Sequence, residues 1–299
     1  MTEYVGRFAP SPTGPLHFGS LIAAVASYLD AKAARGSWHL RIDDVDSTRS
    51  RQASATAIPR TLEAFGLYWS GAIQYQSARR HVYEYALQQL IAEAKAYPCA
   101  CTRREITKTA EPGVNGMIYP GTCRNGLPSG RKGRSWRFRC THTPVQFFDR
   151  AHGNITIDLL TTQGDFLIRR GDGLHAYHLA MVLDDAALGV THVVRGEDLL
   201  YATAPQVALQ KALQLATPQY WHTPIALNTE GRKLSKTNNA PAINPANPTP
   251  CLIQALEFLQ LSPPREFATA PPSEILDWAS RHWSTHVIRS VTTGGAEYP

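Results

Sequence analysis

The segment Phe8-Ala-Pro-Ser11-Pro-Thr-Gly-Pro-Leu-His17-Phe-Gly19-Ser20 carries residue types suited to holding a nucleotide's phosphates. Backbone N–H groups at a helix N-terminus attract anions, and a glycine there lets an anion approach the backbone closely. Gly19 fits that role. His17 adds a donor that can follow negative charge as it moves on a phosphate. A second polar segment lies far downstream, Leu227-Asn-Thr-Glu-Gly231-Arg-Lys233-Leu-Ser235-Lys236-Thr237. Its Lys233 and Lys236 are point charges suited to β- and γ-phosphates. Neither segment is specific alone. Glycine turns between strand and helix serve many α/β domains, and lysine-rich segments are usually just solvated.

The five cysteines are a second source of chemistry: Cys99, Cys101, Cys123, Cys140 and Cys251. An odd count, in a chain whose N-terminus lacks the basic-then-apolar pattern of a signal peptide, argues against a disulfide framework. It places the protein in the cytoplasm with reduced thiols. Cys99-x-Cys101 and Cys123 offer three thiolates, and tetrahedral zinc wants a fourth ligand. Spacing alone offers Cys140 or His142; unliganded buried cysteines are the alternative. Four protein ligands would leave no open position, so the site reads as structural.

Composition sets the frame. Hydrophobic residues make up 43% and charged residues 18%, enough apolar surface for a core and too few charges for a disordered chain. No apolar run approaches a membrane span, so no membrane partner is expected. Thirty basic residues against 24 acidic ones give +6, which suits a polyanion but also many basic enzymes. Arg131-Lys-Gly-Arg134-Ser-Trp136-Arg137-Phe-Arg139 alternates basic and aromatic residues. It reads as a strand with one basic face, available to phosphate or to solvent.

Stepping along the chain gives the elements that must position these groups. Tyr4 to Ala9 reads as a strand, and Leu21, Ile22, Val25 and Leu29 at helical spacing follow it to about Gly36. A strand is expected over Trp38 to Ile42, and a helix over Val82 to Ala96. Short strands over Phe147 to Asp149 and Asn154 to Leu159 follow a Gly- and Pro-rich, cysteine-bearing stretch. Then come a helix near His175 to Leu188, a strand over Thr191 to Arg195 and a helix near Thr203 to Leu215. Helices over Cys251 to Leu261 and Ser273 to Trp283 close the pattern. Val291 to Pro299 reads as a frayed end.

Taken together, the two polar segments resemble the signature motifs of class I aminoacyl-tRNA synthetases, HIGH and KMSKS. Here they read His17-Phe-Gly-Ser20 and Lys233-Leu-Ser-Lys236-Thr237, with Ser20 replacing the last His. Arg7-Phe-Ala-Pro-Ser11-Pro-Thr-Gly, Arg41-Ile-Asp43-Asp44-Val-Asp46 and Val194-Arg195-Gly-Glu-Asp198-Leu-Leu narrow the likeness to glutamyl-tRNA synthetases, over roughly residues 4 to 260. With 299 residues there is little chain after the lysine motif. The sequence therefore resembles their short paralogues, the glutamyl-queuosine tRNA(Asp) synthetases.

That resemblance implies an α/β fold: a Rossmann-type parallel sheet split by a zinc-containing insertion, then a short helical region and no anticodon-binding domain. Its divisions are residues 1–98, 99–165, 166–240 and 241–299. It implies activation of L-glutamate with ATP and Mg²⁺, without tRNA, and transfer to queuosine in tRNA(Asp). A shortened enzyme charging a tRNA 3′ end and a non-catalytic zinc- and RNA-binding module remain alternatives. His17, Gly19, Ser20, Lys233 and Lys236 match the ATP contacts. Arg7, Ser11, Asp43, Tyr177 and Arg195 match the glutamate contacts, with Asp43 where near relatives carry Glu. Tyr119, four positions before Cys123, matches the family's fourth zinc ligand, against Cys140 or His142. His178, Asp184 and Asp185 have no assigned role.

Overall fold

In a computed structural model, residues 3–114, 116–227 and 241–283 are described. The first strand, β1 (Val5–Phe8), runs into an extended turn, and α1 (Phe18–Ala33) begins directly after His17. Leu21, Ile22, Val25 and Leu29 are completely or almost completely buried, as their spacing predicts. Arg35 then takes φ 53°, which ends the helix and turns the chain into β2 (Ser37–Ile42). β2 pairs in parallel with β1, and β3 (Gln74–Tyr75) pairs in parallel with β2. Between them lies α2 (Gln52–Ala64), and α3 (Arg80–Ala92) follows.

The helix expected to run to Ala96 stops earlier. Ala94 takes φ 53°, and Ala96 to Cys99 form a strand, β4. That strand is stabilised by antiparallel pairing to β7 (Ser135–Phe138), a distant partner that local helical propensity does not report. β10 (Leu167–Arg169) flanks β7 on its other side. The connection between β4 and β7 holds α4 (Arg103–Thr109), opened by a Thr102–Glu105 capping box, and the small hairpin β5 (Pro112–Gly113) and β6 (Gly116–Met117). Two further strands, β8 (Val145–Asp149) and β9 (Gly153–Ile157), form an antiparallel pair, followed by the short α5 (Leu159–Thr162).

The chain then returns to α/β order. It builds α6 (Tyr177–Ala187), β11 (His192–Gly196), α7 (Thr203–Ala212) and β12 (Gln219–Thr223). β11 and β12 are parallel, and β8 continues the sheet beside β12. β11 lies against β1: the Thr191 N–H donates to Val5 O at 2.9 Å, and the Val5 N–H donates to the Thr191 hydroxyl at 2.8 Å. The C-terminal ends of β1 and β11 therefore open side by side, at the place where open parallel sheets bind ligands. α8 (Pro248–Phe258) and α9 (Pro272–His282) pack on α1 through Leu252, Leu256, Ile275 and Leu276. No helix among the described residues is long and apolar enough to cross a membrane.

Candidate active site and cysteine cluster

A cavity of about 340 Å³ opens where β1, α1, α6, β11 and the end of β12 meet. Its lining includes Arg7, Ser11, His17, Gly19, Ser20, Tyr177 and Arg195, seven of the residues singled out in the sequence. Met181 and Thr223 also line it and were not anticipated, as does Asp198, which belongs to a quoted motif but had no assigned role. A larger, open depression of about 470 Å³ along α2 has Arg60 as its one charged lining residue, and lacks convergent polar groups.

The phosphate-type turn is built by His17 itself. It sits at the N-terminus of α1 in an extended conformation, and its Nδ1 accepts the Ser20 N–H at 3.3 Å. An accepting Nδ1 leaves the ring proton on Nε2, so His17 combines helix capping with a donor function. The 228–240 segment, with Lys233, Ser235 and Lys236, lies outside the described residues. Its flanks are placed: Ala226 lines the cavity, and Ala242 pairs with His17.

Behind the cavity wall runs a chain of buried charges. Arg7 Nε donates to Asp185 Oδ1 at 3.2 Å, and Arg41 Nη1 donates to the same oxygen at 2.6 Å. Arg41 Nε donates to Asp43 Oδ1 at 2.7 Å. Thus Arg7 pairs with Asp185, not with Asp43 on the neighbouring strand. Asp43 is not part of the lining; its Oδ2 is buried and has no hydrogen-bond partner among the described residues. Burial outweighs the Arg41 attraction and pushes the Asp43 carboxyl up to about 6. Asp185, although buried, is held below the usual carboxylate range by Arg7 and Arg41.

Arg195 is buried, with Nε donating to His222 Nε2 at 3.1 Å and Nη2 donating to Thr203 Oγ1 at 2.8 Å. Its Nη1 is a buried donor without a partner among the described residues. Few polar groups are left unpaired in native interiors, so Asp43 Oδ2 and Arg195 Nη1 are the unfilled hydrogen-bonding positions of this region among the described residues. Asp184 has a structural part: it accepts from Arg79, Gln76 and Tyr83. His178 is sunk beside Phe166 and Tyr177, where burial and the Arg195 charge hold it down at about 4.

The second site lies at the end of β4. The sulfur atoms of Cys99, Cys101 and Cys123 all lie within 4.8 Å of one another. Cys101 and Cys123 sulfurs are 3.6 Å apart, close to the edge of about 3.8 Å that ligands at 2.3 Å from tetrahedral zinc define. The Tyr119 hydroxyl is 3.4 Å from Cys99 Sγ and 3.7 Å from Cys101 Sγ, and accepts the Cys123 N–H at 2.9 Å. Cys140 and His142 are outside the cluster; Cys140 Sγ faces the Gly164 carbonyl at 3.5 Å, and His142 is exposed. Three sulfurs and a phenol oxygen at this spacing suit a tetrahedral, thiolate-preferring metal such as zinc.

The basic run over residues 131–139 departs from expectation. Only Ser135–Phe138 of it form a strand, β7, which has partners on both sides, with the Tyr119 ring against Arg137. Arg137 lies 3.5 Å over the Tyr119 ring, and donates to Cys99 Sγ at 3.3 Å and to the Asp165 carbonyl at 2.6 Å. Arg139 stacks on Tyr97 and donates to the Arg124 carbonyl at 2.9 Å. Arg131 pairs with Glu105. These arginines are committed to the protein rather than aligned as a phosphate face. Burial raises the Cys99 thiol, but hydrogen bonds from Tyr119 and Arg137 outweigh it and bring it down to about 7.

Comparisons with known proteins bear on the family and the fold. The profile of the tRNA synthetases class I (E and Q) catalytic domain matches residues 3–245. The chain is 50% identical over 279 residues to the glutamyl-Q tRNA(Asp) synthetase of Thiobacillus denitrificans, covering 93% of each. It is 50% identical over 281 residues to the protein of that name from Aromatoleum aromaticum, covering 94% of this chain and 89% of the relative. Among solved structures, glutamate-tRNA synthetase from Elizabethkingia anophelis matches with a TM-score of 0.69 at 29% identity. The match covers 80% of this chain and 53% of that one, so this chain spans about half its length.

Proposed function

The chain belongs to the class I tRNA synthetases of the glutamyl and glutaminyl group, and on that premise we propose that it activates L-glutamate and transfers it to the queuosine base of tRNA(Asp). The observation that carries the proposal is the cavity in which Arg7 and Arg195, from adjacent strands, meet the His17–Ser20 turn. Two arginines matched to carboxylates, beside a turn suited to phosphates, fit a dicarboxylic amino acid next to a nucleotide.

In the first step, an α-carboxylate oxygen of glutamate bonds to the ATP α-phosphorus while the bond to pyrophosphate breaks. In the second, a hydroxyl of the queuosine base bonds to the acyl carbon and AMP leaves. No protein nucleophile is needed; catalysis rests on positioning and on stabilising charge at the phosphoryl oxygens. We assign Arg7 to the side-chain carboxylate, Arg195 with Ser11 and Tyr177 to the rest of the amino acid, and Asp43 to its ammonium. His17, Gly19 and Ser20 hold the α-phosphate region, and Lys233 and Lys236 the outer phosphates. Mg²⁺ enters as the counter-charge of ATP.

Cys99, Cys101, Tyr119 and Cys123 are assigned to a structural Zn²⁺, which when bound supplies cross-linking and no reactive position. Residues 99–165 are read as the insertion within the catalytic fold, and the cytoplasm as the compartment. The test is ATP–pyrophosphate exchange with glutamate, aspartate and glutamine, with and without tRNA. Glutamate-specific exchange without tRNA is expected. Exchange that requires tRNA would point instead to an enzyme charging a 3′ end, and none at all to a non-catalytic module.

A further inference from the structure

Arg195 is held from behind by residues on three other elements, none of which carries a local sequence signal. His222 on β12 accepts from Arg195 Nε, and Thr203 on α7 accepts from Arg195 Nη2. Asp149 on β8 accepts from His222 twice, through the ring Nδ1 at 2.7 Å and the backbone N–H at 3.0 Å. His222, Asp149 and Thr203 are all 0% exposed. We propose that His222, oriented by Asp149, is a positioning residue that aims Arg195 at the glutamate carboxylate. This rests on the assignment of Arg195 to glutamate made above.

The argument is one of donors and acceptors. An arginine has only donors, so His222 Nε2 must present its lone pair. The ring proton is then on Nδ1, where Asp149 takes it. A carboxylate at that place fixes the imidazole in the one tautomer that can receive Arg195. Burial, aided by the Arg195 charge, holds the imidazole down at about 4, so it stays neutral and accepting near pH 7. Asp149 is itself immobilised: its Oδ1 accepts the Ala151 and His152 N–H groups, each at 3.0 Å. The Thr203 hydroxyl lies 3.2 Å from both His222 Nε2 and the Leu199 carbonyl, which leaves its oxygen free to accept from Arg195. Two of the three guanidinium nitrogens are thereby fixed, and Nη1 is the one left unpartnered among the described residues, in a residue that lines the cavity. A pair serving stability alone has no need to leave that donor over.

Two amides separate positioning from stability. His222→Asn keeps a donor for Asp149 but has no atom that reaches Arg195. His222→Gln places an amide oxygen near the position of Nε2 and keeps the acceptor. In tRNA-free exchange, His222→Asn is expected to raise the glutamate KM by about tenfold or more, as misaimed groups do, with the ATP KM little changed. His222→Gln is expected to recover most of that loss. Thr203→Val, a smaller change, should raise the glutamate KM alone by a few-fold, and carries the test if His222→Asn does not fold. Equal effects of Asn and Gln, parallel changes in both KM values, or no change with any variant would overturn the proposal. Arg195→Ala separates the two readings. If it raises the glutamate KM while His222→Asn and Thr203→Val do not, only the positioning proposal falls. If it leaves that KM unchanged, the glutamate assignment of Arg195 falls too.

Discussion

The cavity and the cysteine cluster both bury charged groups, but they close their bonding differently. Around the cavity, Arg7, Arg41, Asp43 and Asp185 form a chain that ends in a carboxylate oxygen, and Arg195 ends in an N–H, both unpartnered among the described residues. Around the cysteines, Arg137 and Arg124 spend their donors on carbonyls, a sulfur and Asp165. The three sulfurs and Tyr119 turn toward one another. Open bonding capacity at and just behind a cavity wall suits a substrate that comes and goes. Capacity that converges on one point between side chains suits a resident ion.

The largest expected effect breaks the chain behind the cavity. Asp185→Asn leaves Arg7 and Arg41 buried with one shared anion removed, and losing one partner of a buried ion pair costs about 3–5 kcal/mol. In the cysteine region, Asp165→Asn removes the anion of one cation, Arg124, whose side chain is 25% exposed and can turn to water, and leaves an amide oxygen for the Tyr97 hydroxyl or the Cys140 N–H, so a smaller loss is expected. Urea unfolding of the two variants checks the order. Equal losses would mean that the two regions manage charge alike.

Next in size is the metal affinity. If Tyr119 closes the tetrahedron, Tyr119→Phe should weaken zinc binding by about tenfold or more, with the three thiolates still holding some metal. Competition with a chromophoric chelator measures this directly. Unchanged affinity would return the fourth position to Cys140 or His142, which would require the β7–β8 connection to move toward the cluster.

The two regions also differ in how far the sequence exposed them. The His17–Ser20 turn was legible because its chemistry sits beside glycine at a helix start, whereas Arg7 and Arg195 were marked by family resemblance, and both line the cavity. The three clustered cysteines were legible because metal spacing is local. The supports were not. Asp149 and His222 are 73 positions apart, and Arg41 and Asp185 are 144 apart, so no local period links them. The arginine run misled for a related reason. Alternation identified the strand correctly, but its faces are assigned by β4, β10 and Tyr119, which arrive from elsewhere in the chain. The helix that ended early at Ala92 makes the same point, since β4 is stabilised by its pairing with β7.

The smallest expected effect sharpens the substrate side of the comparison. Asp43 is raised to about 6 chiefly by burial, with Asp185 and Asp184 adding to it and Arg41 opposing it. A folded pKa above the unfolded value of about 3.9 means that folding favours the protonated form. That contribution to stability is fully present below about 4 and is lost as pH rises through about 6. Ionised Asp43 is therefore a cost to the empty protein near pH 7, which a ligand's ammonium would offset. Below about 6 the neutral carboxyl loses that attraction. Glutamate affinity is expected to fall by up to about tenfold per pH unit as pH drops from 6 to 5. The free amino acid's own groups do not titrate in that window, its side-chain carboxyl having a pKa of about 4.3. Isothermal titration with glutamate at several pH values measures the slope, and Asp43→Asn should flatten it. A slope that survives in Asp43→Asn would move the titration to another group and would detach Asp43 from the ammonium.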